Sequence, residues 1–506
     1  MNTEQWLASL ETFTGAFYKK FPDVELRGLL SFITQRLKEG DASELGVLRS
    51  LIKTAGGYGF CDYDSTSSLS ELQLEGRCGS RLLKLETSSF GVIANVNPRA
   101  SRMLRTVLQG RDLGVIILIL LSQIRQKVLY SKSESKEHVK VIGRLYDKCE
   151  SVLCLLLEYI SDSSDDEPQG PSTKEKFANS MPSLASLCST YGIDTSTAWM
   201  LIRPLFRKSM FFMDDTKLVD KSSSGEPPAF LKPFSPSAEM TDSYQKLLPQ
   251  SAWKHISSTL FEAFFSLTIY DIQCPSERYN IETGRLKKEV ERLIQLQQGR
   301  GGAALIAAVA AAGGTERQIR EATNFSDAHK KELERLKINT QQLSKDFKRQ
   351  QKRCDLVHSK FEAQKNTLIQ SNAEASVCIE EGFASAFLTF LLYPRFISSP
   401  EDALFCADFV KLMHRMNVPG FPTIEVIDGI VNAVTGSLYC VTEDEAGNVG
   451  IFLNEIWKLA NTWRYDNDSF ATGLKNTVSF NCITNTLLYH NALTSLVSFS
   501  LALCCL

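Results

Sequence analysis

Six histidines stand in this 506-residue chain, His138, His255, His329, His358, His414 and His490, and their spacing limits the chemistry open to it. None sits in an HExxH or HxxxH pattern, and none is joined to a CxxC pair, so the ligand sets that hold zinc do not assemble. Cys354 and His358 are four residues apart and share a helix face, but two ligands do not hold a metal. Cys406 and His414 also fall on roughly one helix face and read as a packed core pair. The Gly-rich stretches Gly56-Gly57-Tyr58-Gly59 and Gly299-Arg300-Gly301-Gly302 neither end in Gly-Lys-Ser/Thr nor follow a strand, so neither reads as a phosphate loop. No GxSxG elbow occurs. Nothing brings a nucleophile, a base and an oxyanion donor together. The expectation is a chain that is not an enzyme and that calls for no cofactor and no metal.

The cations are more informative. Lys348-Arg349-Gln350-Gln351-Lys352-Arg353 puts four positive charges into six residues, and Arg285, Lys287 and Lys288 make a smaller cluster. Such clusters meet phosphate by charge and counterion release, serve as a nuclear import address, or form the solvated face of a coiled coil. Lys348, Arg349, Lys352 and Arg353 are therefore the candidate nucleic-acid contacts. No aromatic stacking set is interleaved with them, so reading of RNA sequence is not supported.

The elements that must position these residues are helices. Leu26, Leu29, Leu30, Ile33 and Leu37 follow the spacing of one apolar helical stripe, and Gly40 stops it. Similar patterning predicts helices over 43–53, over 99–124 with a break near Gly110 and Gly114, over 136–160, in short pieces over 183–212, and over 251–270 as one strongly apolar helix. Within 333–368 one position recurs every seven residues (Leu333, Thr340, Phe347, Cys354, Phe361, Leu368). A second does the same (Leu336, Leu343, Gln350, Val357, Gln364). Together they make an imperfect coiled-coil seam, hence a helical hairpin. Amphipathic helices resume over 382–470, punctuated by Pro394, Pro400, Pro419 and Pro422.

The whole reads as all-α, an elongated, solenoid-like array of stacked helix pairs with a coiled-coil or helical-hairpin insertion. The expected organisation is a helical region over 1–160 and an acidic Ser/Pro linker over 161–182, in which Ser161, Ser163 and Ser164 precede acidic residues. A helical region over 183–275 follows, with a Pro-rich loop near 214–250. A charged coiled-coil-like segment covers 276–377 with a Gly/Ala interruption at 299–314. A helical region over 378–471 and an apolar tail over 472–506 complete the chain.

Composition sets outer limits. Lys plus Arg number 56 and Asp plus Glu 58, a net charge of −2, which argues against a basic nucleic-acid wrapper and against an acidic disordered tail protein. Hydrophobic residues at 43% exclude wholesale disorder. The 13 cysteines are scattered and odd in number, which reads as reduced thiols rather than a disulfide framework. The N-terminus shows no signal-peptide pattern. The run Leu113–Leu121 is too short to cross a bilayer and reads as a buried helix. The uncharged stretch from Thr484 to Leu506 leaves a tail anchor open.

Four blocks carry a resemblance. They are FPDVELRGLLSFITQRLKEG from Phe21, HVKVIGRLYDKCESVL from His138, WKHISSTLFEAFFSLTIYDIQCPSERYNIETGRLKKEVERL from Trp253, and the long block FLTFLLYPRFISSPEDALFCADFVKLMHRMNVPGFPTIEVIDGI from Phe387. The last continues through CVTEDEAGNVGIFLNEIWKLANTWRYD at Cys440. In order and collinearly, from about Phe21 to Asp466, they resemble the THO complex subunit 2 family, of which the chain looks like an internal portion; the sequence after about Thr472 looks unrelated to it. The resemblance implies a helical scaffold of the nuclear THO/TREX complex, supporting messenger ribonucleoprotein assembly and coupling transcription and processing to mRNA export. Its implied partners are the other THO subunits, a DEAD-box RNA helicase and mRNA export adaptors, with mRNA met mostly indirectly. Two other readings stay open beside it: a direct RNA-binding helical protein using the Lys348–Arg353 face, and a tail-anchored helical membrane protein.

Overall fold

The computed structural model describes residues 3–56, 98–130, 139–161, 177, 180–211, 238–299, 311, 316–369, 382–437 and 439–463. Most of the expected loop after Gly56, the acidic linker, the Pro-rich loop and the Gly/Ala interruption, and all of the apolar tail, lie outside these residues. So do Ser163, Ser164, His138 and His490.

Apolar residues at helical spacing bury one stripe of each element, and three clusters of such stripes build the protein. The first gathers α1 (Thr3–Lys20), α2 (Arg27–Lys38), α3 (Leu45–Gly56), α4 (Pro98–Gln109), α5 (Leu113–Tyr130) and α6 (Val139–Ser161). α1 packs along α3, and α5 lies between α2 and α6. Leu30, Leu48, Ile52, Leu104, Leu118, Leu121, Val152 and Leu156 have no exposed surface and form this core. The stripe predicted from Leu26 to Leu37 is therefore the buried face of α2, and Gly40, at φ +84, ends it. The predicted break in 99–124 also appears, at a 3-10 turn over Gly110–Asp112. The left-handed residues there are Arg111 (φ 58) and Asp112 (φ 54). The stretch Arg99–Val128 is long and apolar enough to cross a membrane by length and composition. Here its residues Ile117, Leu118 and Leu121 are core.

The second cluster gathers α9 (Ala238–Gln245), α10 (Gln250–Trp253), α11 (Ser258–Ser266), α12 (Ile269–Ile272), α15 (Phe383–Phe387), α16 (Tyr393–Phe396), α17 (Pro400–Arg415), α18 (Thr423–Ser437) and α19 (Glu443–Thr462). The expected single helix over 251–270 is corrected to the three pieces α10, α11 and α12. Ser257 Oγ accepts the Leu260 N–H and starts α11 afresh. Thr268 and Asp271 then form a capping box that starts α12. These caps outbid helix continuation because each satisfies backbone donors that a fresh helix start would otherwise orphan. Between the two clusters run α7 (Leu184–Ser189) and α8 (Thr195–Phe211). α8 gives Trp199 to the second core and Ala198, Met200 and Leu201 to the first.

The third cluster is a hairpin of α13 (Ser276–Gly299) and the 49-residue α14 (Glu316–Gln364). Tyr279, Leu286 and Leu293 repeat every seven residues and pack with Leu336 and Leu343, flanked by Leu333 and Phe347. The Tyr279 and Phe347 rings meet at 5.1 Å, which sets the antiparallel register. The predicted seam is thus the buried seam. Among the described residues there is no strand, and the chain is an all-α array.

Candidate functional site

Lys348, Arg349, Lys352 and Arg353 all lie on α14, where the seam decides which way they point. Phe347, Gln350 and Cys354 turn toward α12 and α13, so the intervening positions turn outward. Lys348, Arg349 and Lys352 are exposed and Arg353 is half-buried. With Lys345 they follow one another at i, i+3, i+4, i+7 and i+8, one cationic ridge along the outer face of the hairpin. The smaller cluster is partly spent: Arg285 is held bidentately by Glu282, at 3.0 and 2.9 Å from its Nε. Lys287 and Lys288 remain exposed beside it. The ridge can attract phosphate or carboxylate. Nothing in it supplies a stacking surface for bases.

Cys354 and His358, the pair whose spacing resembled a ligand set, act on backbone instead. Gln350, Cys354 and His358 stand one turn apart on α14 and face the C-terminus of the one-turn helix α12. The His358 imidazole bonds the Ile272 carbonyl at 2.9 Å, and the Cys354 thiol donates to the Tyr270 carbonyl at 3.2 Å. The Gln350 amide N–H group donates to the same Tyr270 oxygen and reaches toward Gln273. A short helix leaves its last carbonyls unpaired, and three side chains of the long helix satisfy them. Burial pushes the Cys354 thiol well above its ordinary value, so it stays a neutral donor. No cluster of three or more metal-ligating side chains occurs among the described residues. Cys406 has no exposed surface, and His414 is buried with its ring 5.6 Å from Trp463. That pair is core, as its spacing indicated.

Spacing alone did not reveal two buried arginine networks. Arg395 has no exposed surface; its Nε donates to Asp402 Oδ1 at 2.7 Å and its Nη2 to the Leu267 carbonyl at 2.7 Å. Its Nη1 donates to the Phe264 carbonyl. The guanidinium centre lies 3.6 Å from the Phe405 ring centroid. Arg203, from α8, donates from Nη1 to both oxygens of Asp402 at 2.8 and 3.1 Å, and from Nε to the Phe265 carbonyl at 2.8 Å. Two guanidiniums thus share one carboxylate, and the extra positive charge sits against the C-terminal carbonyls of α11, the negative end of that helix. Burial lowers the Arg395 pKa to about 10, with Arg203 adding to the effect, so the group stays charged near neutrality. Burial alone would raise the Asp402 carboxyl, but Arg203 and Arg395 overcome it and hold it below the ordinary range.

The second network joins the two clusters. Arg125 of α5 bonds Glu150 of α6 at 2.6 Å and Asp194, ahead of α8, at 2.9 Å. Ser196 Oγ then donates to the Pro394 carbonyl at 2.8 Å. A third bridge runs from α6 to α19, where Asp147 accepts from Thr442 and from the Asp444 N–H at the start of that helix. Burial first, and then Asp444 and Glu445, raise the Asp147 carboxyl to about 7. In sequence these residues are ordinary surface-type charges; only the fold encloses them.

The chain's relatives match this molecule along nearly its whole length. The model of the family described as "Transcription factor/nuclear export subunit protein 2" matches residues 253–500. That match covers the hairpin and the second cluster from α11 onward, and runs past residue 472 into the stretch read above as lying outside the family. THO complex subunit 2 of Arabidopsis thaliana is 26% identical over 489 residues, covering 92% of this chain and 24% of the relative. The human THO complex subunit 2 is 25% identical, covering 94% and 27%. That of Saccharomyces cerevisiae is 20% identical, covering 92% and 24%. The chain spans about a quarter of the length of the curated relatives it matches.

Proposed function

We propose that the chain belongs to the THO complex subunit 2 family and that it is a helical scaffold portion of the nuclear THO/TREX complex. In that role it holds other THO subunits in place, supports messenger ribonucleoprotein assembly, and couples transcription and processing to mRNA export. A DEAD-box RNA helicase and mRNA export adaptors are its further partners, RNA is met mostly through them, and the chain works in the nucleus without catalysing a reaction. The observation that carries this reading is the collinear match over more than nine-tenths of the chain. The structure is consistent with it. The buried arginine networks tie successive helix groups into one body, and stacked helices offer long grooves to partner proteins.

The test is affinity purification of the full chain from nuclear extract. Recovery of the other THO subunits together with the helicase is the expected result. A chain that assembles with none of them contradicts the scaffold reading.

A second reading rests on the ridge of Lys348, Arg349, Lys352 and Arg353, as a direct contact for RNA phosphates. Reversing Lys348, Arg349 and Lys352 to Glu is expected to weaken RNA binding and flatten its salt dependence. Binding and salt slope that match the parent chain reject it.

A further inference from the structure

We propose that the outward face of α1 is a docking strip for an amphipathic α-helix of a partner protein, lying antiparallel to α1 with an acidic first turn against Lys19 and Lys20. This deepens the scaffold reading and rests on it. The strip is aromatic and open: Trp6 is 51% exposed, Phe13 64%, Phe17 41% and Phe21 47%. With the half-buried Leu10 these residues follow helical spacing and form one line. The Phe13 and Phe17 rings stack at 5.8 Å and the Phe17 and Phe21 rings meet at 5.0 Å, so the rungs are continuous. Four half-open rings present roughly 400 Å² of aromatic surface, the size of the largest apolar patch on a typical monomer, which is often functional. The line is about 22 Å long, which suits four turns of a partner helix.

α1 cannot roll to bury this line, because its other face is already committed. Tyr18 is 1% exposed and its hydroxyl donates to the Ala100 carbonyl at 2.6 Å. Ser50 Oγ donates to the Glu11 carbonyl at 2.9 Å. Gly15 lies against α3 so closely that a Cβ there would stand 2.5 Å from Ser50 Oγ.

Charge selects the occupant. Glu11, the acid nearest the middle of the helix, is turned away to Arg49 at 3.6 Å. Exposed Ser9, Thr12 and Ala16 flank the strip with no charge; Lys20 closes one end, its ammonium 5.7 Å from the Phe21 ring centroid, with Lys19 beside it off the line and the exposed acids Asp23 and Glu25 in the turn beyond Phe21. An apolar line with one cationic end fits a Leu- or Phe-striped helix whose first turn is acidic. An acidic first turn also suits that helix's own dipole. Nucleic acid fits less well, because the rings cover one another and cations stand at one end only.

The experiment titrates the full chain with two synthetic 18-residue helical peptides sharing one leucine stripe, one beginning Glu-Glu and the other Lys-Lys. Tryptophan emission is the readout. The acidic peptide is expected to give a saturable blue shift that Trp6→Phe removes, at an affinity at least tenfold above that of the basic peptide. Lys19→Glu with Lys20→Glu should invert the preference. Phe13→Ser with Phe17→Ser should weaken binding at least tenfold while leaving a single cooperative thermal unfolding transition, since Phe13 is mostly exposed and Phe17 packs on the open side of its neighbouring rings. No saturation, or equal affinity for both peptides, overturns the proposal. So does a concentration-dependent dimer that Phe13→Ser with Phe17→Ser abolishes, which makes a second copy the occupant, or RNA binding lost in the same variant. Should that variant keep every THO subunit in nuclear extract, the strip is not their dock while the scaffold reading stands.

Discussion

Arg395 and Asp402 are seven residues apart in the chain and meet through a 2.7 Å hydrogen bond at a point where Arg395 has no exposed surface. The pair turns the chain from α16 into α17. It also fastens both helices to α8 through Arg203 and to the C-terminal end of α11 through the Phe264 and Leu267 carbonyls. Truncating Asp402 strands two guanidiniums in an apolar core, so Asp402→Ala is expected to cost about 3–5 kcal/mol. Arg395→Lys should fare poorly too, because an ammonium cannot reach the carboxylate and both carbonyls in one plane. Urea unfolding of the chain measures both; a loss under 1 kcal/mol for Asp402→Ala would sink this account.

The grip of α14 on α12 is a separate contribution. Gln350→Leu keeps the side-chain volume but leaves the Gln273 carbonyl unanswered and Tyr270 with the thiol alone. The expected cost is about 1–2 kcal/mol. Hydrogen exchange of the amides of α12 should quicken in the same variant. Unchanged stability and protection would mean that water replaces the amide without loss.

The Asp147 bridge gives the two clusters a pH-dependent joint. Its carboxyl titrates near 7 in the folded chain and near 3.8 in the unfolded one, so the folded state holds the proton more tightly. Its contribution is complete below about pH 4 and is lost as pH rises to 7. His414 works the other way: burial lowers its pKa, so stability falls as pH drops through its ordinary range. Comparing the chain with Asp147→Asn separates the two. The variant should lack the decline between pH 5 and 7 and keep the His414 limb. Parallel stability curves across that window would refute the assignment.

Arg111 holds a left-handed backbone with φ 58 and an exposed side chain. Glycine takes that conformation without the Cβ penalty, so Arg111→Gly is expected to gain about 0.5–1 kcal/mol, less whatever chain entropy it adds. Asp112 shares the turn, but its carboxylate accepts the Ser180 hydroxyl, so it is not the residue to replace. A thermal midpoint that drops in Arg111→Gly would show that the side chain makes a contact worth more than the strain.

Periodicity made the helices legible wherever one stripe is buried along a single element. The Leu26–Leu37 stripe and the seven-residue repeat from Leu333 to Leu368 were readable for that reason, and so was the outward direction of Lys348 and Lys352. The run from Ser251 to Tyr270 was not, because it is buried on all sides and its breaks are written in Ser257 and in the Thr268/Asp271 pair. α1 carries a readable stripe, Trp6, Leu10, Phe13 and Phe17, yet no pattern tells whether such a stripe faces inward. Arg203, Arg395 and Asp402 could not be found by spacing at all. They become a site only when segments some 200 positions apart close around them.

One consequence of the long helix concerns reach. From Gln350, where it is clamped to α12, to Glu316 the helix advances about 50 Å. A root fixed by Gln350, Cys354 and His358, and again by Val357 and Phe361 in the main core, cannot swivel freely. The hairpin is therefore a boom with a set bearing. Cargo attached near its far end would keep both its distance and its heading relative to whatever grips the body.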